Sequence, residues 1–276
     1  MKNILQSLLL AALTVTVILA TGCGGTHILK PQAQGVKKVA LVNVYANRGV
    51  HKFSKGGGLS GLTSLASLAK SGKKDDDFGG STLPDFAAAT FIEEFSQVSN
   101  WEVVPNNKLM ASSPYKSFVS SSSDLFYNDV EKKMAKVKYV TASDMAVIPG
   151  EGRDKRSQKA LGELAKQLNV DAVAVIGMDI TYDISTGIGG TGTAAANVGM
   201  SVVMIDTNGK VIGSTPPVID KKTNSIYRQR SDNTVGMLGG AIIFNEKSSN
   251  IFKESISKDI AVMREHVMSD MKALNK

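Results

Sequence analysis

The spacing of apolar and polar residues divides the chain into strand-like and helix-like stretches. Lys37 to Tyr45 (Lys-Lys-Val-Ala-Leu-Val-Asn-Val-Tyr) is compact and rich in β-branched residues, which predicts a first strand. From Pro84 the period lengthens. Phe86, Ala89, Thr90 and Phe91 lead on to Phe95 and Val98, a helical face with Ser81 or Thr82 as its cap and Pro84 in the first turn. Trp101 to Pro105 predicts a second short strand. Lys155 to Leu168 predicts another helix through Ala160, Leu161, Leu164, Ala165 and Leu168, closed by Asn169. Val170 to Gly177 follows as a buried strand continuing toward Tyr182. Asn208-Gly209 lies between Val198–Ile205 and Val211-Ile212 and marks a tight hairpin, because that pair tolerates positive φ angles. A last helix from about Ile251 to Leu274 sets Phe252, Ile256, Ile260, Met263, Val267, Met271 and Leu274 on one stripe, the pattern of core packing.

Strand, helix, strand, helix, strand and then a hairpin is the order of an α/β fold: a mixed sheet covered by helices, with an antiparallel hairpin and a long C-terminal helix. One such domain spans 37–276, with insertions near 49–83 and 111–150. The stretch before it has no apolar period. Gly24 to Gly35 is made of residues such as Gly, Thr, Pro and Gln, so 23–36 is expected to be a tether reaching roughly 40 Å when extended.

The first residues change the picture of where this domain works. Lys2, an apolar run from Ile4 to Ala20 and small residues at Thr21 and Gly22 follow the order of an export signal, so 1–22 is expected to be a signal peptide. The run is short for a permanent membrane span. Leu19-Ala20-Thr21-Gly22-Cys23 resembles a bacterial lipobox, with Ala20 where leucine is more usual. The resemblance implies that Cys23 receives a diacylglycerol, becomes the mature N-terminus and holds the chain on a membrane. Cys23 is the single cysteine, which excludes an internal disulfide. Several acyl chains on one residue give a stable anchor, at about 0.8 kcal/mol per buried methylene. In lipoproteins of two-membrane bacteria an Asp after the cysteine marks inner-membrane retention; Gly24 stands there, which by resemblance directs the chain to the outer membrane, facing the periplasm. Losing Lys2 with the signal takes the formal charge from +7 to +6. That excess is too dispersed for nucleic-acid binding.

Within the domain, Leu161-Gly162-Glu163-Leu164-Ala165-Lys166-Gln167-Leu168-Asn169-Val170-Asp171-Ala172, continuing through Gly177, follows the form Leu-Gly-x-x-Leu-x-Ala-Asp before a hydrophobic strand ending in Gly. With the exported start and the early Lys-Val-Ala strand, it resembles envelope lipoproteins grouped around the curli secretion channel subunit CsgG, the penicillin-binding-protein activator LpoB and the N-terminal domain of TolB. The likeness covers about half of the mature chain. It implies the same α/β fold and a role in the envelope. Val103-Val104-Pro105-Asn106-Asn107 stands where the CsgG pattern carries an acidic-basic motif, a departure that sets the chain apart from a channel more than from the fold.

Candidate chemistry is sparse. Gly56, Gly58 and Gly61, and again Gly187, Gly189 and Gly192, spell G-x-G-x-x-G, but neither set stands between a strand and a helix N-terminus as a dinucleotide site requires, and hairpin ends or bulges are the expected use. His27, His51 and His266 are too scattered for a metal site. Ser120 to Ser123 and Asp75 to Asp77 read as solvated loop. No metal, no cofactor and no catalytic residue is therefore expected. Leu59, Leu62, Leu65 and Leu68 recur every third residue between lysines, a stripe suited to a membrane interface or a partner groove. The expectation is a non-enzymatic binding, assembly or regulatory module, anchored through Cys23, with an envelope protein as partner. The alternatives are an oligomeric CsgG-like channel subunit, whose membrane hairpins would have to come from Tyr182 to Ile205, and a periplasmic hydrolase.

Overall fold

Strand β1 (Lys38–Asn47) forms where the β-branched run predicts it, and Val39 to Ala46 are all buried, as a central strand covered on both faces requires. The computed structural model describes residues 28–52, 82–98, 101–126, 139–146, 148, 152, 154–215, 228–238 and 241–275. Among these, nine strands form one mixed sheet. β1 lies between β3 (Glu102–Val103) and β5 (Ala172–Ile188) and runs parallel to both. β5 turns back into β6 (Thr191–Asp206), which pairs antiparallel with β8 (Arg228–Leu238), and β8 with β9 (Ala241–Ile242). Three short strands extend the path: β2 (His51–Lys52) on β5, β4 (Tyr139–Thr141) on β1 and β7 (Val211–Ser214) on β6. The fold is thus the expected mixed sheet between helices.

Alternation along β1 and β5 feeds two cores. Val39, Leu41, Val44, Ala174 and Ile176 pack under α1 (Thr82–Phe95) and α5 (Glu246–Leu274). Ala40, Val42, Val173 and Val175 pack under α2 (Asn106–Ala111), α3 (Ser113–Phe126) and α4 (Lys155–Gln167). The expected stripe on α5 is the one buried. Phe252, Ile256, Ile260 and Met263 have no exposed surface, and each such side chain contributes about 1.5–3 kcal/mol of apolar burial. The helix begins earlier than its apolar period suggests, because Asn245 and Ser248 form a reciprocal cap, Asn245 Oδ1 accepting from Ser248 N–H and Ser248 Oγ accepting from Asn245 N–H.

Several expectations need correction. On α1 the buried positions are Leu83, Pro84, Ala87, Ala88, Phe91 and Phe95; Ala89 is exposed, so the face is rotated from the one read off Phe86 and Ala89. Ser120 to Ser122 are helical within α3, where the hydroxyls donate to carbonyls one turn back, Ser120 and Ser121 to Ser117 and Ser122 to Val119. Tyr115 fixes that helix to the sheet through a 2.6 Å bond to the Val42 carbonyl, and burial pushes its hydroxyl pKa up. At the Asn208-Gly209 turn only Gly209 takes a positive φ, 73°. Asp206 organises the reversal instead, its Oδ1 accepting from both Asn208 N–H and Lys210 N–H at 2.8 Å.

Helix α4 rests directly on that turn. A Cβ at Gly162 would stand 2.5 Å from the Gly209 nitrogen and 2.8 Å from its Cα, so the glycine is needed for close approach of two backbones. Gly162→Ala is expected to lower stability by about 1–3 kcal/mol, the usual cost of overpacking. The measurement is the urea midpoint at unchanged slope; an unmoved midpoint would mean the turn yields freely.

Candidate functional site

The N-terminal segment is the first place where the structure departs from a free tether. Ile28 and Leu29 are buried, and their N–H groups both donate to Asp270 Oδ2, at 2.7 and 2.9 Å. Lys30 N–H donates to the Ile212 carbonyl and Ser214 N–H to the Ile28 carbonyl, so the segment lies as an outer strand against β7. Pro31–Ala33 then make a single 3-10 turn, with Ala33 and Val36 buried. A second aspartate repeats the device: Asp171 Oδ2 accepts from Lys37 N–H and Lys38 N–H at 2.8 Å each, at the start of β1. Residues 28–36, expected to belong to the tether, are therefore part of the folded body. Composition misled here because Pro, Gln and Gly serve a turn instead of a linker.

The distal half of the β5–β6 hairpin carries a polar network on the face opposite α5. Asp179, Thr181 and Asp183 alternate with Ile180 and Tyr182, which point into the α1/α5 core. The Arg228 guanidinium bonds to Asp179, and its Nη1 donates to Thr181 Oγ1 and Asn197 Oδ1, both at 3.1 Å. It lies over Gly199, where a Cβ would come within 2.6 Å of Nη2. Asn197 donates to Asp183, which also faces Arg230 at 3.5 Å. Each arginine thus meets a carboxyl group, and the network stiffens the hairpin by cross-linking three strands.

Beyond this network the surface turns apolar. Among the described residues the exposed large hydrophobic side chains are Ile184, Ile188, Leu238, Ile243 and Phe244, with Ile188 92% exposed. All stand at one end of the sheet, around the β5–β6 turn and the β8–β9 connection. Gly189 and Gly190 take φ of 61° and 83°, the tight-hairpin geometry that holds Ile188 at the tip. Gly187, Gly189 and Gly192 therefore serve a hairpin end, as expected from their context.

Two buried polar residues went unnoticed in the sequence. Asp259 lies on the sheet-facing side of α5 with no exposed surface, and among the described residues no hydrogen bond of normal geometry reaches either carboxyl oxygen. Burial raises its pKa well above the ordinary value; the Arg228 charge and the nearby Met200 amide pull the other way without offsetting it. Asn43 is likewise buried, and both polar atoms of its amide lack a partner among the described residues. The signal available for Asp259 was its place beside Ile256, Ile260 and Met263, one acid among apolar neighbours.

Cys23 and the stripe of Leu59, Leu62, Leu65 and Leu68 lie outside the described residues, as do Asp75 to Asp77 and His27. Residue 51 belongs to β2 instead of a loop, and His266 sits on α5. Among the described residues no three metal-ligating side chains come together. An open cleft of about 640 Å³ separates β8 from the start of α5, between Asn233, Thr234, Glu246, Lys247, Asn250 and Glu254. From Ala194 to Ile205, β6 is buried, between helices or neighbouring strands, so in this conformation that part of the hairpin packs within its own domain. No helix among the described residues is long and apolar enough to cross a membrane.

No protein-family model matches the chain, and no curated protein does so either. Among solved structures, a PelC dodecamer from Paraburkholderia phytofirmans aligns over 83% of this chain and 88% of its own, with 11% identity and a TM-score of 0.23. A likeness at that TM-score carries no argument about fold or function.

Proposed function

We propose that the chain is an exported lipoprotein whose α/β domain works as a non-enzymatic binding, assembly or regulatory module at the outer membrane, on the periplasmic side. The observation that carries this reading is the lipobox-like Leu19-Ala20-Thr21-Gly22-Cys23, placed directly before a folded body. The concentration of exposed apolar side chains at one end of the sheet supports a surface that meets a protein partner. The rival, an oligomeric channel subunit, would need the β5–β6 hairpin to leave its own core, where β6 is now buried.

Growth with labelled palmitate tests the anchor. Cys23→Ala is expected to abolish incorporation and to move the chain from the membrane to the soluble fraction; a variant that still sediments with membranes contradicts the reading. A photo-crosslinker at Ile188 tests the module. Adducts with a different envelope protein support it, whereas self-adducts and a detergent-extracted ring on a sizing column point to the channel.

A further inference from the structure

The chain between the proposed lipid-bearing residue and the folded body is far shorter than its composition indicated. Ile28 is 2% exposed and bonded through both its N–H and its carbonyl. Five peptide steps separate Cys23 from Ile28, and at about 3.3 Å each they span at most roughly 17 Å. The headgroup layer of one leaflet takes up about 6 Å of this, leaving roughly 10 Å of clearance. A domain of this size has a radius of gyration of about 18 Å. The clearance is less than the domain's own radius, so the body cannot turn freely about its anchor.

We propose that the N-terminal segment is a strap that holds one edge of the domain, formed by residues 28–33, β7 and the last turns of α5, against an anionic lipid surface. The inference rests on lipidation of Cys23. Lys30 is exposed on this edge, directly after the clamped pair Ile28 and Leu29, and so is placed to meet an anionic headgroup. The opposite edge of the sheet, β3, faces away. Between the two edges lie β7, β6, β5 and β1, and at about 4.8 Å per strand step β3 is roughly 24 Å farther from the lipid. A long spacer would allow every orientation; the strap selects one.

Energy transfer to the membrane tests this on the full lipidated chain, reconstituted in vesicles of phosphatidylethanolamine and phosphatidylglycerol with a headgroup-linked acceptor. Thioether formation consumes Cys23, so a single introduced thiol takes the donor dye. Gln32→Cys marks the strapped edge and Glu102→Cys the far one; both positions are exposed. Transfer is expected to be clearly higher from position 32. A flexible Gly/Ser insertion of about twenty residues between Gly25 and Thr26 is expected to bring the two signals together. Equal transfer from both positions in the uninserted chain, or higher transfer from 102, in protein that floats with the vesicles and carries the lipid, overturns the strap while leaving the anchor intact. Protein with an unmodified Cys23 that does not float overturns the lipid reading, and the strap with it.

Discussion

Asp270→Ala is expected to cost the chain roughly 3–5 kcal/mol of stability, because the two buried N–H groups of Ile28 and Leu29 lose their common acceptor at once. Each orphaned buried donor costs about 1–3 kcal/mol. For a domain of this length the melting temperature should fall by about 10 °C. Asp270→Asn keeps one acceptor oxygen and should fall between the alanine variant and the parent. The measurement is urea unfolding followed by circular dichroism. If the alanine variant keeps the parent midpoint, Ile28 and Leu29 are not held as described, and the segment returns to being a tether.

Asp259→Asn is expected to flatten the pH dependence of stability. The Asp259 carboxyl has a folded-state pKa raised well above the ordinary 3.8, principally by burial. The folded chain therefore retains a proton through a pH range in which the unfolded chain has already released it. Stability is fully present below the unfolded value and declines as pH rises above it, by up to about 1.4 kcal/mol per pH unit, until the folded carboxyl itself ionises. Asparagine has nearly the shape of the protonated acid and no proton to lose. The variant should match the parent below the ordinary value of 3.8 and exceed it increasingly as pH rises above that, read from urea midpoints across a pH series. Curves that stay parallel would show that Asp259 is ionised inside the fold and has found a partner.

The architecture was legible wherever burial leaves a period. β1, α4 and the α5 stripe are visible because each must hide apolar groups against a sheet covered on both sides, so their apolar residues recur at the spacing of the element. β8 was not visible: Arg228, Arg230, Asp232 and Asn233 carry polar side chains on an outer strand, and only Ser231, Val235 and Met237 turn inward. α3 was hidden by its serines, whose hydroxyls satisfy themselves on the helix's own carbonyls and so need no loop. The clamp on residues 28–38 could not be read locally at all. Its acceptors, Asp270 and Asp171, lie far along the chain, and an aspartate that receives two backbone donors looks in the sequence like any surface acid.

That clamp joins groups 242 positions apart. During synthesis the Ile28 amide emerges 242 positions ahead of Asp270, so it waits for its acceptor until the last turns of α5 are made. The long separation makes closure a late step in folding. A chain cut short before residue 270 would leave the Ile28 and Leu29 amides without their acceptor, so loss of the last turns of α5 would loosen the edge segment that packs on β7.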